Sequence, residues 1–421
     1  MNLLEDLRWR GLVAQSTDEA ALLESLKRPV TLYIGFDPTA PSLHVGNLVV
    51  LLVLRRFQLA GHNPIALVGG ATGLVGDPSG RNDERTLNSS EVVEEWVSRI
   101  RKQVSAFLDF DAKTNPALVV NNLDWTSPLS AIEFLRDIGK HFSVNQMLAK
   151  DSVSSRLEAG GISYTEFSYQ VLQSYDYLEL FRRNNCTLQL GGSDQWGNIV
   201  AGLDLIRRVE QGSAHALTVP LLAKADGTKF GKTAGGSIWL DPEMTSPYAF
   251  FQFWLNTEDK DVVNFLKVFS FLSHTEIQEL AAAHNENPGM REAHRALARE
   301  LTTLVHGADT TARVEAAARA LFGQGELSEL DEQTLAGALA ELPRTVISKD
   351  AQIPTWVDLL AATGVVDSKS AARRIVKEGG AYLNNVKISG EDFAPEKSDF
   401  LCGKYAILRK GKRDLACVEL A

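Results

Sequence analysis

The stretch "VTLYIGFDPTAPSLHVGNLVVLLVLRRFQLAG", residues 30–61, decides the fold that the sequence predicts. Its first part, "VTLYIGF" (Val30–Phe36), is rich in β-forming residues and ends at glycine and proline, which is typical of a strand. Its last part, "LVVLLVLRRFQLAG" (Leu48–Gly61), predicts a buried helix whose final glycine is the C-cap. The proline-broken loop between them places His44 and Gly46 at the mouth of that helix.

The same alternation recurs further along the chain. "NPIALVGG" (Asn63–Gly70) predicts a second strand that ends in glycines, and "TLQLGGSDQWGNIVAGLDLIRR" (Thr187–Arg208) predicts a strand, a glycine turn and a helix. Alternating strands and helices indicate an α/β fold with a parallel sheet and right-handed crossovers. In such folds ligands bind at the carboxyl ends of the strands.

A chain of 421 residues is too long for one hydrophobic core, so two or three domains are expected. After the parallel-sheet region, apolar residues recur at helical spacing in "FLKVFSFL" and "TTARVEAAARALF". The acidic, weakly periodic stretch that follows predicts a linker with some helix. The expected order is a parallel-sheet catalytic domain, an α-helical domain, the linker and a small α+β domain, over residues 1–245, 246–325, 326–352 and 353–421.

Composition excludes several protein classes. The net charge of -10 argues against a non-specific nucleic-acid binder, but residues 353–421 carry 11 basic and 9 acidic side chains and form a separate electrostatic unit. The three cysteines form no CxxC pair, so neither a disulfide framework nor a zinc site is expected, and a cytoplasmic location fits. The N-terminal stretch does not resemble a signal peptide. The longest aliphatic run, Leu48–Leu54, is too short to span a bilayer.

The loop before the first helix has the chemistry of an anion site. Backbone N–H groups at a helix start attract anions, and Gly46 has no side chain to keep a phosphate away. His44, Thr39 and Asn47 can each donate a hydrogen bond to phosphate oxygens. The alternative is a histidine that only caps the helix.

The stretch "KADGTKFGKT", Lys224–Thr233, does not meet the P-loop pattern, because Asp226 stands where the first glycine is required. What remains is a glycine-hinged loop with Lys229 and Lys232. Two cations on a mobile loop suit the transient charge of a reacting polyphosphate. The alternative is a lysine loop in water.

The helix predicted within "TEFSYQVLQSYDYLELF", Thr165–Phe181, carries Tyr169, Gln173 and Asp176 on one stripe. This stripe is either the wall of a pocket for a polar small molecule or a polar face in water. "LQLGGSDQWGN" places Gly191 after a strand, where the backbone can approach a ligand.

Asp194 and Asp77 are two acidic residues that follow glycine turns. Asp194 stands with Gln195 at a helix start, where both can contact a ligand, and the alternative is a plain βα turn. "ALVGGATGLVGDPSG" (residues 66–80) lacks GxGxxG, so it is not a dinucleotide fingerprint. Its Asp77 is a candidate acceptor for an ammonium group, or else a turn residue before Pro78.

Together these stretches resemble a known family. "HVGN" resembles the HIGH motif of class I aminoacyl-tRNA synthetases, and "KFGKT" resembles their KMSKS motif, in the expected order. "LYIGFDPTAPSLHVGN", "FSYQVLQSYD" and "LQLGGSDQWGN" are similar to the bacterial tyrosyl-tRNA synthetases, and the similarity covers essentially the whole chain. The resemblance implies a Rossmann-like catalytic domain, with residues 246–325 on the anticodon side and a dimer-forming insertion within residues 1–245.

The resemblance also implies residue roles. Tyr33 and Asp176 bond the phenolic hydroxyl of tyrosine, while Tyr169, Gln173 and Asp77 hold its amino group and Gln195 completes the pocket. The implied ATP and adenylate site consists of Gly35, Asp37, Thr39, His44, Gly46, Asn47, Gly191, Asp194, Lys229, Phe230, Gly231, Lys232 and Thr233. Of these, Thr39, His44, Asn47 and the two lysines act in catalysis, together with Arg81 and Arg85 of a second mobile cationic loop.

The sequence departs from both short motifs. Asn47 replaces the final histidine of the HIGH motif, and Phe230, Gly231 and Thr233 depart from the KMSKS motif. Hydrogen-bonding groups and both lysines remain, so the departures affect the weight of single contacts rather than the reaction.

The last part of the chain, from "IPTWVDLLAATGVVDSKSAARRIVKEGGAYLNNVKISG", resembles an RNA-binding domain named after a small-subunit ribosomal protein. A basic helix face and a following turn are candidate phosphate contacts. They comprise Lys369, Arg373, Arg374, Lys377, Asn384, Asn385 and Lys387. The alternative is a solvated basic helix.

The implied reaction has two steps. Tyrosine and ATP give tyrosyl-adenylate and pyrophosphate, and the tyrosyl group then passes to the 3′ end of tRNA(Tyr). Mg²⁺ is expected to arrive with ATP, without a metal site built by the protein, and the family is dimeric. Three alternatives are a tryptophanyl enzyme, a small-molecule nucleotidyltransferase and a non-catalytic RNA-binding protein derived from a synthetase.

Overall fold

The computed structural model describes residues 2–79, 88–223, 225, 227, 230–233, 236–340, 342–390, 394–411 and 414–421. Within it the chain forms two compact units. The first comprises Met1–Met244 and Thr257–Ala293, and the second comprises Thr245–Asn256 and His294–Ala421. In the described part of the chain, no helix has both the length and the apolar character needed to cross a membrane.

The strands fall into one sheet per unit and one small hairpin. In chain order they are β1 Gln15–Ser16, β2 Thr31–Phe36, β3 Asn63–Val68, β4 Leu118–Asn121, β5 Cys186–Gly192, β6 His215–Val219, β7 Lys232–Thr233, β8 Gly236–Ser237, β9 Arg344–Ile347, β10 Ala381–Leu383, β11 Val386–Lys387, β12 Tyr405–Lys410 and β13 Asp414–Leu420. The pair β7 and β8 forms the hairpin.

Both units also contain helices. They are α1 Leu3–Trp9, α2 Glu19–Ser25, α3 Val45–Leu59, α4 Thr72–Val75, α5 Ser90–Ser105, α6 Leu123–Thr126, α7 Ala131–Glu133, α8 Val144–Leu148, α9 Asp151–Ala159, α10 Tyr164–Asn184, α11 Trp196–Glu210, α12 Pro247–Leu255, α13 Val262–Phe269, α14 His274–Glu286, α15 Glu292–His306, α16 Ala308–Leu321, α17 Glu332–Leu339, α18 Trp356–Ala362 and α19 Lys369–Lys377. A π-helical turn occupies Phe134–Ile138, and 3-10 turns occupy Gly139–His141, Ser193–Gln195, Pro288–Met290, Leu327–Glu329 and Lys397–Asp399.

The first unit contains the predicted parallel sheet. Its strand order is β1-β6-β5-β2-β3-β4, and all neighbours are parallel except β1 and β6. The chain runs outward from β2 through β3 to β4 and then returns to β5 on the opposite side of β2. The direction of winding therefore reverses between β2 and β5, where ligands bind in folds of this type.

The strands and the first helix form where the sequence predicts them. The predicted strand over residues 30–36 is observed over 31–36, because its inward residues, among them Leu32 and Ile34, are buried. The predicted helix over residues 48–61 is observed over 45–59. It begins three residues earlier because the His44 side chain caps it. Gly61 follows the helix with a left-handed φ of 93°.

The second unit has helices and a five-stranded sheet of order β11-β10-β12-β13-β9. All its pairs are antiparallel except β13 with β9. The region predicted as a linker, residues 326–352, contains α17 and the edge strand β9. Both are ordered parts of this unit, because Leu335 and Leu339 are buried in its core and β9 pairs with β13.

Candidate active site

The candidate site lies where the sheet changes winding direction. Tyr33 of β2 and Gln189 of β5 are direct partners in the parallel pairing, so their side chains leave the same face of the sheet. The glycines of these two strands, Gly35 and Gly191, follow toward the carboxyl ends. The long helix α10 covers this face, because Tyr33 packs in one cluster with residues of α10 such as Tyr177 and Leu178.

The His44 side chain caps α3, which was the alternative that the sequence left open. Its Nδ1 atom accepts hydrogen bonds from the backbone N–H groups of Gly46 and Asn47, at 3.0 and 3.3 Å. In the reverse direction, Asn47 Oδ1 accepts a hydrogen bond from the His44 backbone N–H at 3.1 Å. Since Nδ1 accepts, the proton of the neutral imidazole is on Nε2, which is then a donor. Capping and hydrogen-bond donation are therefore both available to one histidine.

Glycine is required at position 46 because the imidazole lies against it. A Cβ atom there would be 2.7 Å from His44 Cε1 and 2.9 Å from Nδ1, closer than real Cβ contacts allow. The chain after the lysine loop also holds this turn. Val45 N–H donates to the Ile238 carbonyl at 3.0 Å, and Leu240 N–H donates to the Leu43 carbonyl at 2.9 Å.

Phe230 and Gly231, predicted to line the ATP site, join the lysine loop to the body of the first unit. The Phe230 ring is buried at 4.8 Å from the Phe265 ring and 5.3 Å from the Phe269 ring, measured between centroids. Gly231 has a left-handed φ of 79°, and a Cβ atom there would be 2.8 Å from Val45. Phe230 and Gly231 are thus fixed by packing, and Gly231 lies next to the helix mouth.

Asp176 is buried with two donors on its carboxylate. Asn122 Nδ2 donates to Oδ2 at 2.9 Å, and Trp125 Nε1 donates to Oδ1 at 2.8 Å. Burial raises the pKa of Asp176 to about 7, although these two hydrogen bonds act in the opposite direction. With Tyr169 also buried, the stripe on α10 is not a polar face in water. The pocket-wall interpretation agrees with this burial.

Three polar atoms, one each on β2, α10 and β5, are buried and have no hydrogen-bond partner within the described residues: Tyr33 Oη, Gln173 Oε1 and Gln189 Oε1. Burial and the nearby Asp176 charge raise the pKa of Tyr33 well above its usual value, so the hydroxyl stays protonated. Buried polar atoms normally have partners, and each exception requires an explanation. Three such atoms on one face indicate a polar ligand.

Asp37 forms a second carboxylate centre. It accepts a hydrogen bond from the Tyr169 hydroxyl on Oδ2 and from the Thr72 hydroxyl on Oδ1, each at 2.7 Å. Burial and the Asp37 charge raise the pKa of Tyr169 well above its usual value. The carboxylate that was predicted for the ATP site therefore contacts a residue that was predicted for the amino-acid site.

Asp77 makes the turn contact that was one of its two interpretations, and its role toward an ammonium group stays a prediction. Its Oδ1 accepts from the Ser79 backbone N–H at 2.9 Å, which is a turn contact, and its Oδ2 accepts from Gln195 Nε2 at 2.7 Å. Partial desolvation and the Asp77 charge raise the pKa of Asp194, although the residue is exposed. The exposed Thr39 is held to the Asp37 carbonyl through its backbone N–H at 2.9 Å. These residues lie at the same carboxyl edge of the sheet.

Comparison with known proteins identifies the family. A model described as tRNA synthetases class I (W and Y) matches residues 24–323, and one described as a tyrosine–tRNA ligase SYY-like C-terminal domain matches residues 334–418. A tyrosine–tRNA ligase of Streptomyces avermitilis is 62% identical over 100% of this chain and 99% of the relative. One from Mycobacterium tuberculosis is 57% identical over 99% of this chain and 98% of the relative.

This chain belongs to the tyrosine–tRNA ligase family.

Solved structures of synthetases share the fold. A C-terminally truncated mitochondrial tyrosyl-tRNA synthetase of Aspergillus nidulans matches with a TM-score of 0.69 and 32% identity, over 76% of this chain and 94% of that chain. A tryptophanyl-tRNA synthetase of Encephalitozoon cuniculi matches with a TM-score of 0.54 and 15% identity, over 73% of this chain and 87% of that chain. The predicted Rossmann-like fold is confirmed. Since the fold also occurs in a tryptophanyl enzyme, side chains must distinguish the tyrosine–tRNA ligase family.

Some predicted residues of this tyrosine–tRNA ligase lie outside the described part of the chain. They are Arg81, Arg85 and Lys229. Lys232 and Thr233 are described only as the strand β7, which pairs with β8. The cationic half of the predicted site therefore stays a prediction.

Four residues of the site escaped prediction from the sequence: Thr72, Asn122, Trp125 and Gln189. Asn122 and Trp125 follow β4, more than fifty positions before the carboxylate that they contact. No local spacing connects them to Asp176. Gln189 lies within the predicted strand after Thr187, but its pairing with Tyr33 depends on the strand order of the sheet, which the sequence does not give.

The residues predicted to contact RNA divide into two groups. Arg373, Arg374 and Lys377 are exposed on α19, and Lys369 pairs with Asp358 at 2.7 Å on the surface. The Lys387 side chain lies over Gly379, where a Cβ atom would be 2.2 Å from Nζ.

The two asparagines hold the turn itself. Asn384 Nδ2 donates to the Asp399 carbonyl and Asn385 Nδ2 donates to the Ala320 carbonyl, both at 2.6 Å. Both residues have left-handed φ values, of 43° and 68°, which asparagine tolerates better than most residues. These contacts give both side chains a role in the fold.

Proposed function

We propose that this tyrosine–tRNA ligase recognises tyrosine by its phenolic hydroxyl at Asp176 and Tyr33 and activates it with ATP at the mouth of α3. The observation that carries the proposal is the buried Asp176 carboxylate, which has two donors in place beside the partnerless hydroxyl of Tyr33. A phenol supplies both a proton for the carboxylate and a lone pair for the Tyr33 hydroxyl. Phenylalanine supplies neither, which leaves buried polar groups without partners.

The amino group of tyrosine is proposed to bind Tyr169, Gln173 and Asp77. The Tyr169 hydroxyl donates its proton to Asp37, so its oxygen presents lone pairs that an ammonium group can use. Gln173 Oε1 is a buried acceptor without a partner in the described residues. The Asp77 carboxylate supplies opposite charge at the same edge of the sheet. Gln195 donates to Asp77 and so fixes one of its oxygens.

The first chemical step is attack of the tyrosine carboxylate on the α-phosphate of ATP, with pyrophosphate as the leaving group. We expect catalysis by positioning and charge stabilisation, because phosphoryl transfer requires little covalent help from the protein. The Nε2–H group of His44 and the N-terminus of α3 are donors for phosphate oxygens. Gly35, Gly191, Thr39 and Asp194 are the further residues proposed to line the nucleotide site.

The departing pyrophosphate is proposed to be held by Lys229 and Lys232, with Arg81 and Arg85 on a second loop. The burial of Phe230 between these lysines supports a loop that stays near the helix mouth while its cations reach the phosphates. ATP enters as its magnesium complex, so the metal is part of the substrate.

The second step transfers the tyrosyl group to the 3′ end of tRNA(Tyr). The exposed cations Arg373, Arg374 and Lys377 of α19 are the proposed phosphate contacts of the C-terminal domain. Counterion release makes such contacts sensitive to salt.

A homodimer is also proposed. Large apolar side chains are exposed on one continuous segment of the first unit: Ile132, Leu135, Val144, Leu148, Leu157 and Tyr164. We infer that this segment contributes to an interface, and a second copy of the chain is the partner that the family resemblance implies. The cytoplasmic location stays a prediction.

The test is isotope exchange from pyrophosphate into ATP, with each of the twenty amino acids in turn, followed by charging of tRNA. Exchange that depends on tyrosine, and tRNA that then carries tyrosine, is the expected result. Exchange that depends on tryptophan, or no exchange with any amino acid, contradicts the proposal.

A further inference from the structure

A continuous series of hydrogen bonds joins the two carboxylates of the site. Tyr169 and Thr72 both donate to Asp37 at 2.7 Å. Asn122 Nδ2 donates to the Thr72 hydroxyl oxygen at 3.0 Å and to Asp176 Oδ2 at 2.9 Å. The series therefore runs from Tyr169 through Asp37, Thr72 and Asn122 to Asp176, which connects the two proposed ends of the amino-acid pocket.

The backbone at Ala71 fixes the directions of the bonds made by Asn122 and Thr72. Asn122 Oδ1 accepts from the Ala71 backbone N–H at 2.7 Å, so the amide nitrogen must face Thr72 and Asp176. The two hydrogens of Nδ2 are enough for both acceptors. Because the Thr72 hydroxyl accepts from Asn122, its own proton is directed to Asp37. One backbone group thus sets the direction of the bonds from Asn122 to Thr72 and Asp176 and from Thr72 to Asp37.

As a result, the Asp37 and Asp176 carboxylates each accept two hydrogen bonds. Asp37 accepts from Thr72 and Tyr169, and Asp176 accepts from Asn122 and Trp125. A carboxylate that accepts several hydrogen bonds is favoured in its ionised form. Ionised Asp176 can accept the phenol proton, and ionised Asp37 keeps the Tyr169 oxygen directed as an acceptor.

Water is not available to replace the middle of the series. Asn122 is 0% exposed and Thr72 is 2% exposed. The backbone also leaves no spare room, because a Cβ atom at Gly69 would lie 2.1 Å from Asp37 Oδ1 and 2.3 Å from the Thr72 hydroxyl oxygen. A lost hydroxyl at position 72 therefore leaves buried partners unsatisfied.

We propose that Thr72 is a positioning residue that orients both ends of the tyrosine pocket, the phenol end through Asn122 and Asp176 and the ammonium end through Asp37 and Tyr169. The inference rests on the proposed function for the roles of those two ends. Thr72 itself touches neither end of the substrate in this account. Its removal weakens tyrosine binding and leaves ATP binding largely intact.

The decisive ligand is 3-(4-hydroxyphenyl)propanoate, which keeps the phenol of tyrosine and lacks the amino group. Thr72 is not hydrogen-bonded to Asp176, so weaker binding of this analogue reports an effect carried through Asn122. In the full-length chain, Thr72→Ala and Thr72→Val are expected to raise the Kd of tyrosine and of the analogue about tenfold or more. The KM for ATP is expected to stay within about twofold.

Two variants serve as controls. Thr72→Ser keeps the hydroxyl and is expected to recover most of the tyrosine affinity that Thr72→Ala loses. Thr363→Val removes another buried threonine hydroxyl, one that donates to the Leu360 carbonyl in the second unit, and is expected to leave the Kd of tyrosine unchanged. Thermal unfolding without ligand checks that each variant folds, and Thr72→Ala avoids placing a methyl group against Asp37 if Thr72→Val does not fold.

The inference is overturned if Thr72→Ala weakens tyrosine but binds the analogue as well as wild type does, because Thr72 then supports Asp37 alone. It is also overturned if Thr72→Ser is as impaired as Thr72→Ala. Wild-type protein that shows no tyrosine-dependent exchange refutes the proposed function instead, so the two failures are distinguishable. Weaker binding of both ligands in Thr72→Ala, with recovery in Thr72→Ser, supports the inference.

Discussion

At the scale of single residues, recognition depends on polar atoms that are buried before a ligand arrives. Asp176 has donors from Asn122 and Trp125 on its two oxygens, and burial raises its pKa to about 7. Protonation of the carboxyl conflicts with those donors, because one oxygen would then present a hydrogen in place of a lone pair. The ionised form is therefore the one that matches both its neighbours and a phenol.

The pH dependence of tyrosine binding follows from this pKa. Below about 7 the carboxyl is increasingly protonated in the ligand-free protein and accepts a phenol proton less well, so tyrosine affinity is expected to rise from pH about 6 and to level off above pH about 7. Asp176→Asn is expected to bind weakly with no such rise. Titration calorimetry from pH about 6 to about 8 measures the tyrosine affinity of both proteins. A wild-type affinity that falls as the pH rises in this range contradicts the assignment.

Tyr33→Phe separates function from stability. The Tyr33 hydroxyl is buried without a partner in the described residues, so its removal is expected not to lower the unfolding temperature of the ligand-free protein. The same change is expected to raise the Kd of tyrosine about tenfold, because the phenol loses a donor. Scanning calorimetry and tyrosine titration of the variant measure the two effects. A marked fall in the ligand-free unfolding temperature would show that the hydroxyl has a structural partner.

Some residues of the site were predicted from the sequence and others were not. Tyr33, Tyr169, Gln173 and Asp176 were assigned by resemblance and lie together around α10 and β2. Asn122 could not be predicted, because only the return of the chain from β4 to β5 brings it beside Asp176. The two residues are too far apart in the sequence for any local pattern to indicate that contact.

At the scale of elements, the site depends on how α3 begins. The helix starts at Val45, where the His44 imidazole accepts from two backbone N–H groups. The sequence predicted the start three residues later, since the apolar run begins at Leu48 and a histidine cap has no common signature. Strand bounds were predicted more closely, because burial on both faces of a central strand produces continuous apolar runs.

Gly46→Ala tests this helix mouth. A Cβ atom would be 2.7 Å from the His44 ring, so the imidazole must move and lose its cap geometry. We expect the rate of adenylate formation to fall about tenfold or more, while the Kd of tyrosine changes less than about twofold. Gly337→Ala, whose Cβ atom meets nothing closer than 3.5 Å, is the matched control. Pyrophosphate exchange at saturating tyrosine measures the rate. An unchanged rate would remove His44 from the mechanism.

At the scale of the whole molecule, the C-terminal sheet and the preceding helices share one core. Tyr405, Ile407, Leu415 and Cys417 of β12 and β13 are buried with residues of α16 and α17. The strand β9 also belongs to this sheet, although its residues fall in the predicted linker. Removal of residues 353–421 would expose that core. Surface substitutions therefore test RNA binding more cleanly than truncation.

The double substitution Arg373→Glu with Arg374→Glu tests the proposed RNA contact of α19. Both residues are exposed on α19, so the double change is expected to leave the fold and tyrosine-dependent pyrophosphate exchange intact. Charging of tRNA is expected to fall in kcat/KM about tenfold or more and to lose part of its salt dependence. Lys349→Glu, an exposed residue of the same unit outside α19, is the control. Unimpaired charging by the double variant would show that this helix is only a solvated basic face.

The fold class of the whole molecule was predicted from the sequence, whereas the domain bounds stay predictions. The alternation of strands and helices, and then the helical spacing, indicated a parallel-sheet region before a helical one. The join between them was not predictable, because α12 belongs to the second unit while α13 and α14 belong to the first. Which unit a helix joins depends on the long-range packing of its apolar face, which local periodicity does not encode.

The central claim is that a buried carboxylate distinguishes a phenol from a benzene ring. The most direct measurement is the ratio of kcat/KM for tyrosine to that for phenylalanine in pyrophosphate exchange, in wild type and in Asp176→Asn. We predict that the ratio falls about a hundredfold in the variant, mainly through a loss with tyrosine. A ratio that is the same in both proteins would contradict the account.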